Sequence, residues 1–307
     1  MKKYSWILSL IALLVVGCGG KGEVRKGTDG KEVLSGYITI SGAFALYPLV
    51  IQWADEFRRL HPEVDIDVSA GGAGKGITDV LADQVDIGMV SRELKPQEVA
   101  KGTLAFAVAK DAVVPTINAH HPMLKELRKV GLSREMARIF WLAPQSKVHI
   151  YTRSDACGAA ETWAAFLGVK QEDLQGTAIF GDPGVAETLQ KDVNGIGYNN
   201  IGYAYHDKTH RPLEGISVIP IDVNGNGRID DSERFYETMD DLMQAISDGR
   251  YPTPPSRNLY LVTAGKPKNP VVKAFLKYVM TRGQRLNTPA GFVKINRQQA
   301  KRNLRLL

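Results

Sequence analysis

An arginine followed by a turn of small residues is the arrangement in this chain best suited to bind an anion. Arg153 lies four residues before the Cys157-Gly158-Ala159 turn, where an amphipathic helix begins. The free N–H groups of a helix's first turn point outward, and the helix dipole favours negative charge there. Arg153 adds a permanently charged, two-pronged donor. A second such turn, 69–77, opens another predicted helix, and two helix N-termini converging on one small anion describe a receptor rather than a catalyst.

The same turn has a second interpretation, in which Cys157 is a nucleophile. A helix N-terminus lowers the pKa of a thiol and so favours the reactive thiolate. A cysteine phosphatase loop, however, requires an arginine six positions later, where this chain has Trp163. The six histidines show no metal-ligand spacing, and His120-His121-Pro122 is typical of a solvated loop. The sequence therefore favours a packing or ligand-lining role for Cys157 over catalysis.

Residues 222–233 fit the pattern of a calcium-binding loop. Such loops need oxygen ligands at positions 1, 3, 5, 9 and 12, a backbone carbonyl at position 7 and glycine at position 6. The ligands predicted in this way are Asp222, Asn224, Asn226, Arg228 (through its carbonyl), Asp230 and Glu233. The alternative is an Asn-Gly-rich connector between a strand at 216–221 and a helix at 232–247. Because every position fits, the pattern favours a structural Ca²⁺.

The N-terminus has the features of an export signal. Two lysines precede an apolar run at 6–16, which is too short to span a bilayer but suits the core of a signal peptide. The run leads into Val-Val-Gly-Cys18, which resembles the bacterial lipobox. We therefore predict a signal peptide at 1–17 and a lipid on Cys18. Residues 18–35, rich in Gly, Lys and Glu and without an apolar period, are predicted to form a flexible tether.

Composition limits the classes of function. The 307 residues carry a formal net charge of +6, which falls to +4 when the leader and its two lysines are removed. That mild excess does not require a nucleic-acid partner. If Cys18 carries lipid, Cys157 is the only other cysteine and has no disulfide partner. Stability must then come from packing, and a hydrophobic content of 44% supplies enough core for two lobes.

Strand and helix patterns alternate along the chain, which predicts an α/β fold with parallel sheets. The first set comprises strands at 36–41, 64–68 and 85–90 and helices at 47–60 and 77–81. A long apolar segment at 104–114 is suited to cross between two lobes. The second set comprises helices near 123–130, 133–141 and 159–167 and strands near 148–152, 178–180, 196–205 and 216–221. A strand at 258–263 and a helix at 270–280 are predicted to return to the first lobe.

Six segments, in this order, resemble the periplasmic phosphate-binding proteins of bacterial ABC transporters, the Pst-type receptors. They are 41–49, 69–77, 85–94, the Arg153 segment, 195–198 with 202–204, and 283–284 with 291–293. The resemblance implies a two-lobed type II periplasmic binding protein fold of the α/β class, with the ligand cleft between lobes joined by two crossing strands. It implies lobe 1 at 36–112 and again at 255–307, and lobe 2 at 113–254.

The resemblance also implies which residues face the ligand. Carried over by position, they are Ala43, Phe44, Gly71, Gly72, Ala73, Gly74, Ser91, Arg92, Arg153, Cys157, Gly158 and Ala159. The family usually has serine or threonine where this chain has Ala73, Cys157 and Ala159, so the site must depend more on backbone N–H groups and arginine. A lost donor facing a buried anion costs about 1–3 kcal/mol. The family often has an acidic residue that accepts the proton of hydrogen phosphate, for which Glu93 and Asp155 are candidates.

The function implied by the resemblance is a membrane-anchored lipoprotein, in the periplasm or at the cell surface of a bacterium. It would capture inorganic phosphate by lobe closure and deliver it to the permease of an ABC transporter. No enzymatic activity and no cofactor beyond a structural Ca²⁺ are expected. One alternative is the same fold holding sulfate, tungstate or molybdate. Alternatives from other classes are a secreted phosphatase, which would need a nucleophile with a base or paired metals, and a calcium-dependent surface adhesion module.

Overall fold

The structure is a computed structural model that describes residues 22–26, 32–143 and 147–307. These residues form eleven strands and ten α-helices. The strands are β1 (Glu23–Lys26), β2 (Glu32–Gly42), β3 (Glu63–Ala70), β4 (Ile87–Val90), β5 (Thr103–Asn118), β6 (His149–Arg153), β7 (Thr177–Ile179), β8 (Gly195–Asn200), β9 (Ile216–Val218), β10 (Ser256–Ala264) and β11 (Val293–Lys294). The helices are α1 (Tyr47–Leu60), α2 (Ala73–Leu81), α3 (Pro96–Ala100), α4 (Leu124–Val130), α5 (Arg134–Leu142), α6 (Gly158–Leu167), α7 (Gly181–Lys191), α8 (Met239–Asp248), α9 (Pro270–Met280) and α10 (Arg297–Leu304).

Two long strands, β5 and β10, connect two lobes and pair with each other in antiparallel register. In lobe 1, β2 pairs in parallel with β3 and β4, and β4 lies beside β10. In lobe 2, β8 pairs with β5, and β6 and β7 follow in parallel. The two-lobed α/β architecture is therefore confirmed. The sheets are mixed rather than wholly parallel, because the crossing strands run against their neighbours.

A separate apolar core lies on each side of the crossing strands. The core of lobe 1 is drawn from residues 38–109 and 259–292, and that of lobe 2 from residues 112–251. Helix α9 packs into the first core, so this part of the chain lies in lobe 1. On β5, residues up to Ala109 belong to the first core and residues from Ala112 onward contribute to the second, so Lys110 and Asp111 lie between the two cores.

Helix α1 shows how apolar spacing in the sequence becomes burial. Leu49, Val50, Trp53 and Phe57 recur three or four residues apart and are all 0–1% exposed. The indole N–H of Trp53 donates to the carbonyl of Gly283 at 2.9 Å. This bond fixes the segment that follows α9 against lobe 1.

An aromatic cluster supports the part of lobe 2 that carries Arg153. The ring centroids of Trp141 and Trp163 are 5.0 Å apart, and those of Trp163 and Tyr198 are 5.8 Å apart. Each such pair adds about 0.5–1.5 kcal/mol to the gain from burial. Since the three rings come from α5, α6 and β8, the cluster fixes these elements relative to one another.

The pairing of the crossing strands is irregular at one point. Leu259 faces Ala109, but the next residue, Tyr260, faces Ala107, so Val108 is skipped in the register. A bulge of this kind bends a strand and increases its twist. It lies where the two strands enter the core of lobe 1, to which Leu259 and Tyr260 belong.

Side-chain amides from the end of the chain support this bulge. Gln284 and Asn287 donate to the carbonyl of Val108 at 2.9 and 3.1 Å. Asn303, on α10, donates to the carbonyl of Ala107 at 2.6 Å. The carbonyl groups at the irregular point therefore have partners.

The predicted flexible tether is wrong for its described part. Strand β1 pairs with β2 from Glu23 opposite Ser35 to Lys26 opposite Glu32. Arg25 bonds Glu63 on β3 at 2.8 Å. All four residues of β1 are exposed, so backbone pairing forms this charged edge strand without any apolar alternation that sequence analysis could detect.

Three predicted elements are shorter than expected. The helix predicted at 232–247 forms only from Met239, where the hydroxyl of Thr238 caps the helix by accepting the N–H of Asp241 at 3.1 Å. The strand predicted near 196–205 ends with β8 and gives way to a 3₁₀ turn, Ile201–Tyr203. The strand predicted at 216–221 is β9 alone.

Among the described residues, no helix is both long and apolar enough to cross a membrane. The predicted signal peptide and Cys18 lie outside the described residues.

Candidate anion-binding site

The guanidinium of Arg153, at the end of β6, is buried between two carboxylates. Its Nε and Nη2 donate to Asp155 at 2.8 and 2.7 Å, and its Nη1 donates to Asp182 at 2.6 Å. The three side chains are 1%, 4% and 0% exposed, in that order. Burial alone would lower the pKa of Arg153, but the negative charges of Asp182 and Asp155 outweigh it and raise the pKa. The arginine therefore stays charged in a site that excludes water.

Arg153 retains donors for a ligand. A guanidinium has five N–H groups, and the bonds to the two aspartates use three of them. One N–H remains on each terminal nitrogen. Two such donors match the spacing of two oxygens on a carboxylate or an oxyanion.

Asp182 and Asn200 are site residues that sequence reasoning missed. Asp182 lies in the first turn of α7, and its carboxylate accepts the backbone N–H and the side-chain amide of Asn200 at 2.8 and 2.7 Å. Neither residue belongs to a local motif, since α7 and the end of β8 meet only in the folded chain. An acidic residue directly after a strand and at the start of a helix was the only available signal, and it is typical of a solvated cap.

The Cys157 turn forms the start of α6. The Cys157 sulfur accepts the N–H of Ala160 at 3.4 Å, and the side chain is 4% exposed. Burial raises the pKa of the thiol to about 12, so it is protonated near neutral pH. Ala159 is buried beside it, and Gly158 faces the other lobe.

In lobe 1, Phe44 lies over the arginine. The centre of its ring is 5.6 Å from the guanidinium carbon of Arg153 and 5.7 Å from the ring of Phe180. Its carbonyl accepts the hydroxyl of Tyr203 at 3.2 Å. Ala43, the preceding residue, is fully buried. Phe44 therefore meets lobe 2 at three points.

The glycine turn before α2 meets lobe 2 through its backbone. The N–H groups of Gly71 and Gly72 donate to the carbonyl of Gly42 at 2.9 and 3.1 Å, which fixes the turn. The N–H of Gly74 donates across the lobe boundary to the carbonyl of Ala156 at 2.9 Å. One helix N-terminus of lobe 1 is thus aimed at the turn that follows Arg153.

Gly72 cannot be replaced by a larger residue without strain. Its φ is +92°, and a Cβ atom there would lie 3.0 Å from both a carboxylate oxygen of Asp155 and the carbonyl of Ala156. Ala73, which begins α2, is fully buried behind it. The carboxylate of Asp155 therefore faces the lobe boundary as well as Arg153.

The structure separates the adjacent residues Ser91 and Arg92. Ser91 is buried against Gly158. A Cβ atom added to Gly158 would overlap both the carbonyl oxygen and the hydroxyl oxygen of Ser91. Arg92 instead donates to both oxygens of Glu98 at 2.8 Å and lies 3.0 Å from Glu161 on α6. Arg92 therefore bridges the lobes beside the site and is turned away from Arg153.

The two candidate proton acceptors also separate. Asp155 lies in the site, while Glu93 is exposed and accepts a hydrogen bond from the hydroxyl of Tyr260 on β10. Of the two, the structure places only Asp155 against Arg153.

The predicted calcium loop follows β9 in lobe 2 and is bonded through its backbone to Lys129 and Leu132. The carboxylate of Asp222 accepts the N–H groups of Gly225, Asn226 and Gly227 at 2.7, 3.2 and 2.8 Å. Ile229, the eighth residue of the loop and an apolar one, is buried. These bonds wrap the first half of the loop around Asp222.

The second half of the loop is organised by Asp230 and Glu233. Asp230 accepts the side-chain amides of Asn224 and Asn226 at 2.9 and 2.7 Å and lies 2.8 Å from the guanidinium of Arg228. Glu233 accepts the N–H of Asp230 at 3.0 Å. The described part of the chain contains no group of three or more His, Cys, Asp and Glu residues arranged to hold a metal. Calcium binding therefore stays a prediction.

Comparison with known proteins identifies the family. A family described as the PBP superfamily domain matches residues 27–282. The chain belongs to this PBP superfamily. It is 28% identical to the phosphate-binding protein PstS of Bacillus subtilis over 236 residues, which cover 70% of this chain and 77% of that protein. It is 22% identical to PstS of Staphylococcus haemolyticus over 311 residues, which cover 95% and 93%.

The fold is also that of a solved PBP-type structure. A phosphate ABC transporter substrate-binding protein from Clostridium perfringens, crystallised with bound phosphate, superposes with a TM-score of 0.68. The two are 19% identical, and the match covers 85% of this chain and all of that one. The likeness at this identity concerns the fold. Together with the family match, these relatives confirm the resemblance to Pst-type receptors.

Proposed function

We propose that the protein captures inorganic phosphate between its lobes and delivers it to the permease of an ABC transporter. The observation that carries this proposal is Arg153, buried where the lobes meet, with a carboxylate on either side and two N–H groups left for an anion. Relatives that align with 70–95% of the chain bear the name of a phosphate-binding protein. The site geometry and the relatives support the same ligand.

The charges of the site favour a protonated oxyanion. Arg153 contributes one positive charge, and Asp155 and Asp182 contribute two negative ones. The O–H group of hydrogen phosphate can donate a hydrogen bond to the Asp155 carboxylate, which faces the lobe boundary. Sulfate has no proton to donate and would leave two acceptors in contact. Because such an unmade bond costs about 1–3 kcal/mol, we expect phosphate to bind about tenfold to hundredfold more tightly than sulfate.

Lobe closure is the proposed means of capture. The anion gains contacts with both lobes only when they meet, so it favours the closed arrangement. In this structure the lobes already share the bond from Gly74 to Ala156 and the contacts of Phe44. A ligand between the lobes would add its own contacts to these.

Titration calorimetry of the purified protein with phosphate, sulfate, molybdate and tungstate tests the proposal. We expect phosphate to bind most tightly and an Asp155→Asn variant to lose much of its preference over sulfate, since an amide can donate to sulfate. If the wild-type protein binds sulfate or molybdate more tightly than phosphate, that oxyanion and not phosphate is its ligand.

The site supports binding rather than catalysis. The Cys157 thiol is buried, and its raised pKa keeps it protonated. The aspartates beside it are both bonded to Arg153. A phosphatase would need an activated nucleophile, and none of these groups is one. Purified protein should release no product from a generic phosphate ester.

We also propose that the protein is anchored outside the cytoplasm through a lipid on Cys18. The supporting observation is the lipobox-like sequence behind a short apolar run. A Cys18→Ser variant should leave the membrane fraction and change in mass. Complete retention of that variant in the membrane fraction would contradict the anchor.

We further propose that residues 222–233 bind one structural Ca²⁺. The full ligand pattern supports it, as does the way Asp222 gathers the N–H groups of Gly225 and Gly227, both in left-handed conformation. The loop is bonded to itself and to Lys129 and Leu132, and not to Arg153 or its carboxylate partners among the contacts described above, so calcium should affect stability more than anion affinity. This position also gives no support to a calcium-dependent adhesion function without anion binding.

Melting curves test the calcium proposal. A ligand that binds only the folded state raises its melting temperature by mass action. Glu233→Gln should suppress the rise, whereas Asp231→Asn, at an exposed position outside the pattern, should not. Curves that overlay in calcium and in chelator would show that the loop is only a turn.

A further inference from the structure

A chain of six buried polar side chains connects the crossing strands to the anion site. Its members are Asp111 on β5, Arg257 on β10, Asn200 at the end of β8, Asp182, Arg153 and Asp155. Each is at least nine-tenths buried. We call this set the buried polar chain. Nothing in the sequence suggested it, because five separate segments supply its members.

Arg257 holds one end of the buried polar chain. It is the register partner of Asp111 across the crossing strands, and its Nε donates to that carboxylate at 3.0 Å. Its Nη1 donates to the hydroxyl of Thr162 on α6 at 3.0 Å, and its Nη2 donates to the side-chain carbonyl of Asn200. One guanidinium therefore joins both crossing strands to α6 and to β8.

Asn200 passes this connection on to Arg153. Its side-chain amide donates to Oδ2 of Asp182 at 2.7 Å, and Nη1 of Arg153 donates to the same oxygen at 2.6 Å. The backbone N–H of Asn200 donates to the other oxygen of Asp182 at 2.8 Å. The position of the Asp182 carboxylate, and with it the plane of the Arg153 guanidinium, thus depends on Asn200.

The charges in the buried polar chain alternate in sign. Asp155, Asp182 and Asp111 are acidic, and Arg153 and Arg257 lie between them in the order of contact. Alternation satisfies each buried charge with an opposite neighbour, and in such surroundings an unpaired charge is costly. A displacement at one member is therefore opposed by the next.

The location of Arg257 relative to the bulge indicates what the buried polar chain does when the lobes move. Asp111 and Arg257 lie on the lobe 2 side of the irregular register at Leu259 and Tyr260. Through its bond to Asn200, Arg257 fixes that side of the crossing strands to the end of β8, where Asn200 contacts Asp182. The bulge, with its locally bent strand, lies beyond this fixed region.

We propose that Arg257 is a positioning residue, which sets the orientation of Arg153 through Asn200 and Asp182. It couples the crossing strands to the anion site, so that lobe 2 and its arginine turn as one body about the bulge. This inference rests on the proposed function, since it concerns how the same site is held ready for phosphate.

The test uses two variants that touch no ligand and one control. Arg257→Lys keeps the charge but loses the planar set of donors, and Asn200→Ser cuts the connection to Asp182 while leaving Arg257 and Asp111 paired. Thr162→Val is the control, because it removes a bond of Arg257 to a residue that is not a member of the buried polar chain. We expect each of the first two to weaken phosphate binding about tenfold and the control to change it less than threefold.

A double variant shows whether Arg257 acts on phosphate binding through Asn200 or independently of it. If Arg257 acts through Asn200, the combination of Arg257→Lys and Asn200→Ser should bind phosphate no more weakly than the worse single variant. Losses that multiply would overturn the proposal, as would wild-type affinity in a folded Arg257→Lys protein. If Arg257→Lys does not fold, Asn200→Ser alone decides, and wild-type affinity there overturns the proposal.

A readout without ligand separates this inference from the proposed function. The Nε–H resonance of Arg153, identified by its loss in an Arg153→Lys variant, should shift in the ligand-free Asn200→Ser protein and remain in place in Thr162→Val. An unchanged resonance in Asn200→Ser overturns the positioning role. A shifted resonance in a protein that binds no phosphate supports the positioning role and overturns phosphate as the ligand.

Discussion

The two lobes contribute different chemistry to the candidate site. Lobe 2 contributes buried charge, with Arg153 held between Asp155 and Asp182. Lobe 1 contributes the ring of Phe44, a glycine turn and backbone groups. Its two charged candidates, Arg92 and Glu93, are bonded elsewhere. Recognition of the anion's charge therefore belongs to lobe 2, and lobe 1 covers it.

This division follows from the cost of burying charge. A buried guanidinium must keep its partners in every state of the protein, so it lies within one rigid lobe. Backbone N–H groups and an aromatic ring tolerate exposure to water, so they can separate from lobe 2 and meet it again when the lobes move relative to each other. Variants of each half should therefore fail in different ways.

The largest effect is expected from the charged half. Arg153→Ala leaves Asp155 and Asp182 buried without their cation, and breaking such a pair costs about 3–5 kcal/mol. We expect a fall in unfolding free energy of this size and loss of phosphate binding. Arg153→Lys should lose less of both, since it keeps the charge but not the fork.

Denaturant unfolding and calorimetry on the same preparations check this prediction. Arg234→Ala, at an exposed arginine of the same lobe, should change stability by less than about 0.5 kcal/mol. Unchanged phosphate affinity in Arg153→Ala would remove Arg153 from the site.

Because water is excluded from the lobe 2 part of the site, we expect the Cys157 thiol to be protected from alkylating reagents. With a pKa of about 12, roughly one thiol in ten thousand is ionised at pH 8, against roughly one in four for an unperturbed thiol. In a Cys18→Ser background, we expect iodoacetamide to react at least about a hundredfold more slowly with native than with denatured protein.

The pH dependence of the alkylation rate shows the direction in which the pKa of Cys157 is shifted. Burial raises the pKa, so the native rate should climb steadily between pH 7 and pH 10 without reaching a plateau. A plateau near pH 8.5 would indicate an ordinary, solvated thiol and would contradict the dry lobe 2 half.

A smaller effect is expected where the halves touch. In Gly158→Ala, the added methyl group would overlap Ser91 of lobe 1, while each lobe keeps its own core. Overpacking costs about 1–3 kcal/mol, so we expect phosphate binding to weaken about tenfold or more through impaired closure. Gly202→Ala is the matched control, since a Cβ atom there meets nothing within 4 Å.

Calorimetry, together with the distance between spin labels on the two lobes, measures this change. Equal affinities for Gly158→Ala and Gly202→Ala would mean that the lobes do not meet at Gly158 when ligand is bound.

The smallest effect is expected at the ion pairs beside the site. Glu161 of lobe 2 lies 3.0 Å from Arg92 and 3.1 Å from Lys95, both of lobe 1, and is 27% exposed. Partly exposed pairs contribute up to about 1 kcal/mol, so Glu161→Gln should speed phosphate release by at most about fivefold, and less in high salt. Glu187→Gln breaks an exposed pair within one helix and is the control. Stopped-flow release rates that do not differ between the two would assign no closing role to Glu161.

What the sequence could predict follows the same division between local and distant information. The glycine turn, the Arg153 turn and the amphipathic helix α1 have signatures within about ten residues, and the structure contains them. Asp182, Asn200 and Arg257 have none, because a polar residue at an element's end is usually solvated and only the folded chain shows that these are buried together. Strand β1 was missed for the opposite reason, since an exposed edge strand needs no apolar pattern.

If Cys18 carries a lipid, strand β1 also limits how far lobe 1 can lie from the membrane. Four residues lie between Cys18 and Glu23, where pairing with β2 begins, so the two are five residue steps apart. An extended chain spans at most about 3.6 Å per residue, so a lipid on Cys18 would hold the edge of lobe 1 within about 18 Å of the bilayer surface. Lobe 1 would then be the stationary partner, and lobe 2, with its charged site, would swing toward and away from a transporter in the same membrane. Delivery by such a protein would be a short rotation at the membrane surface rather than a journey across the periplasm.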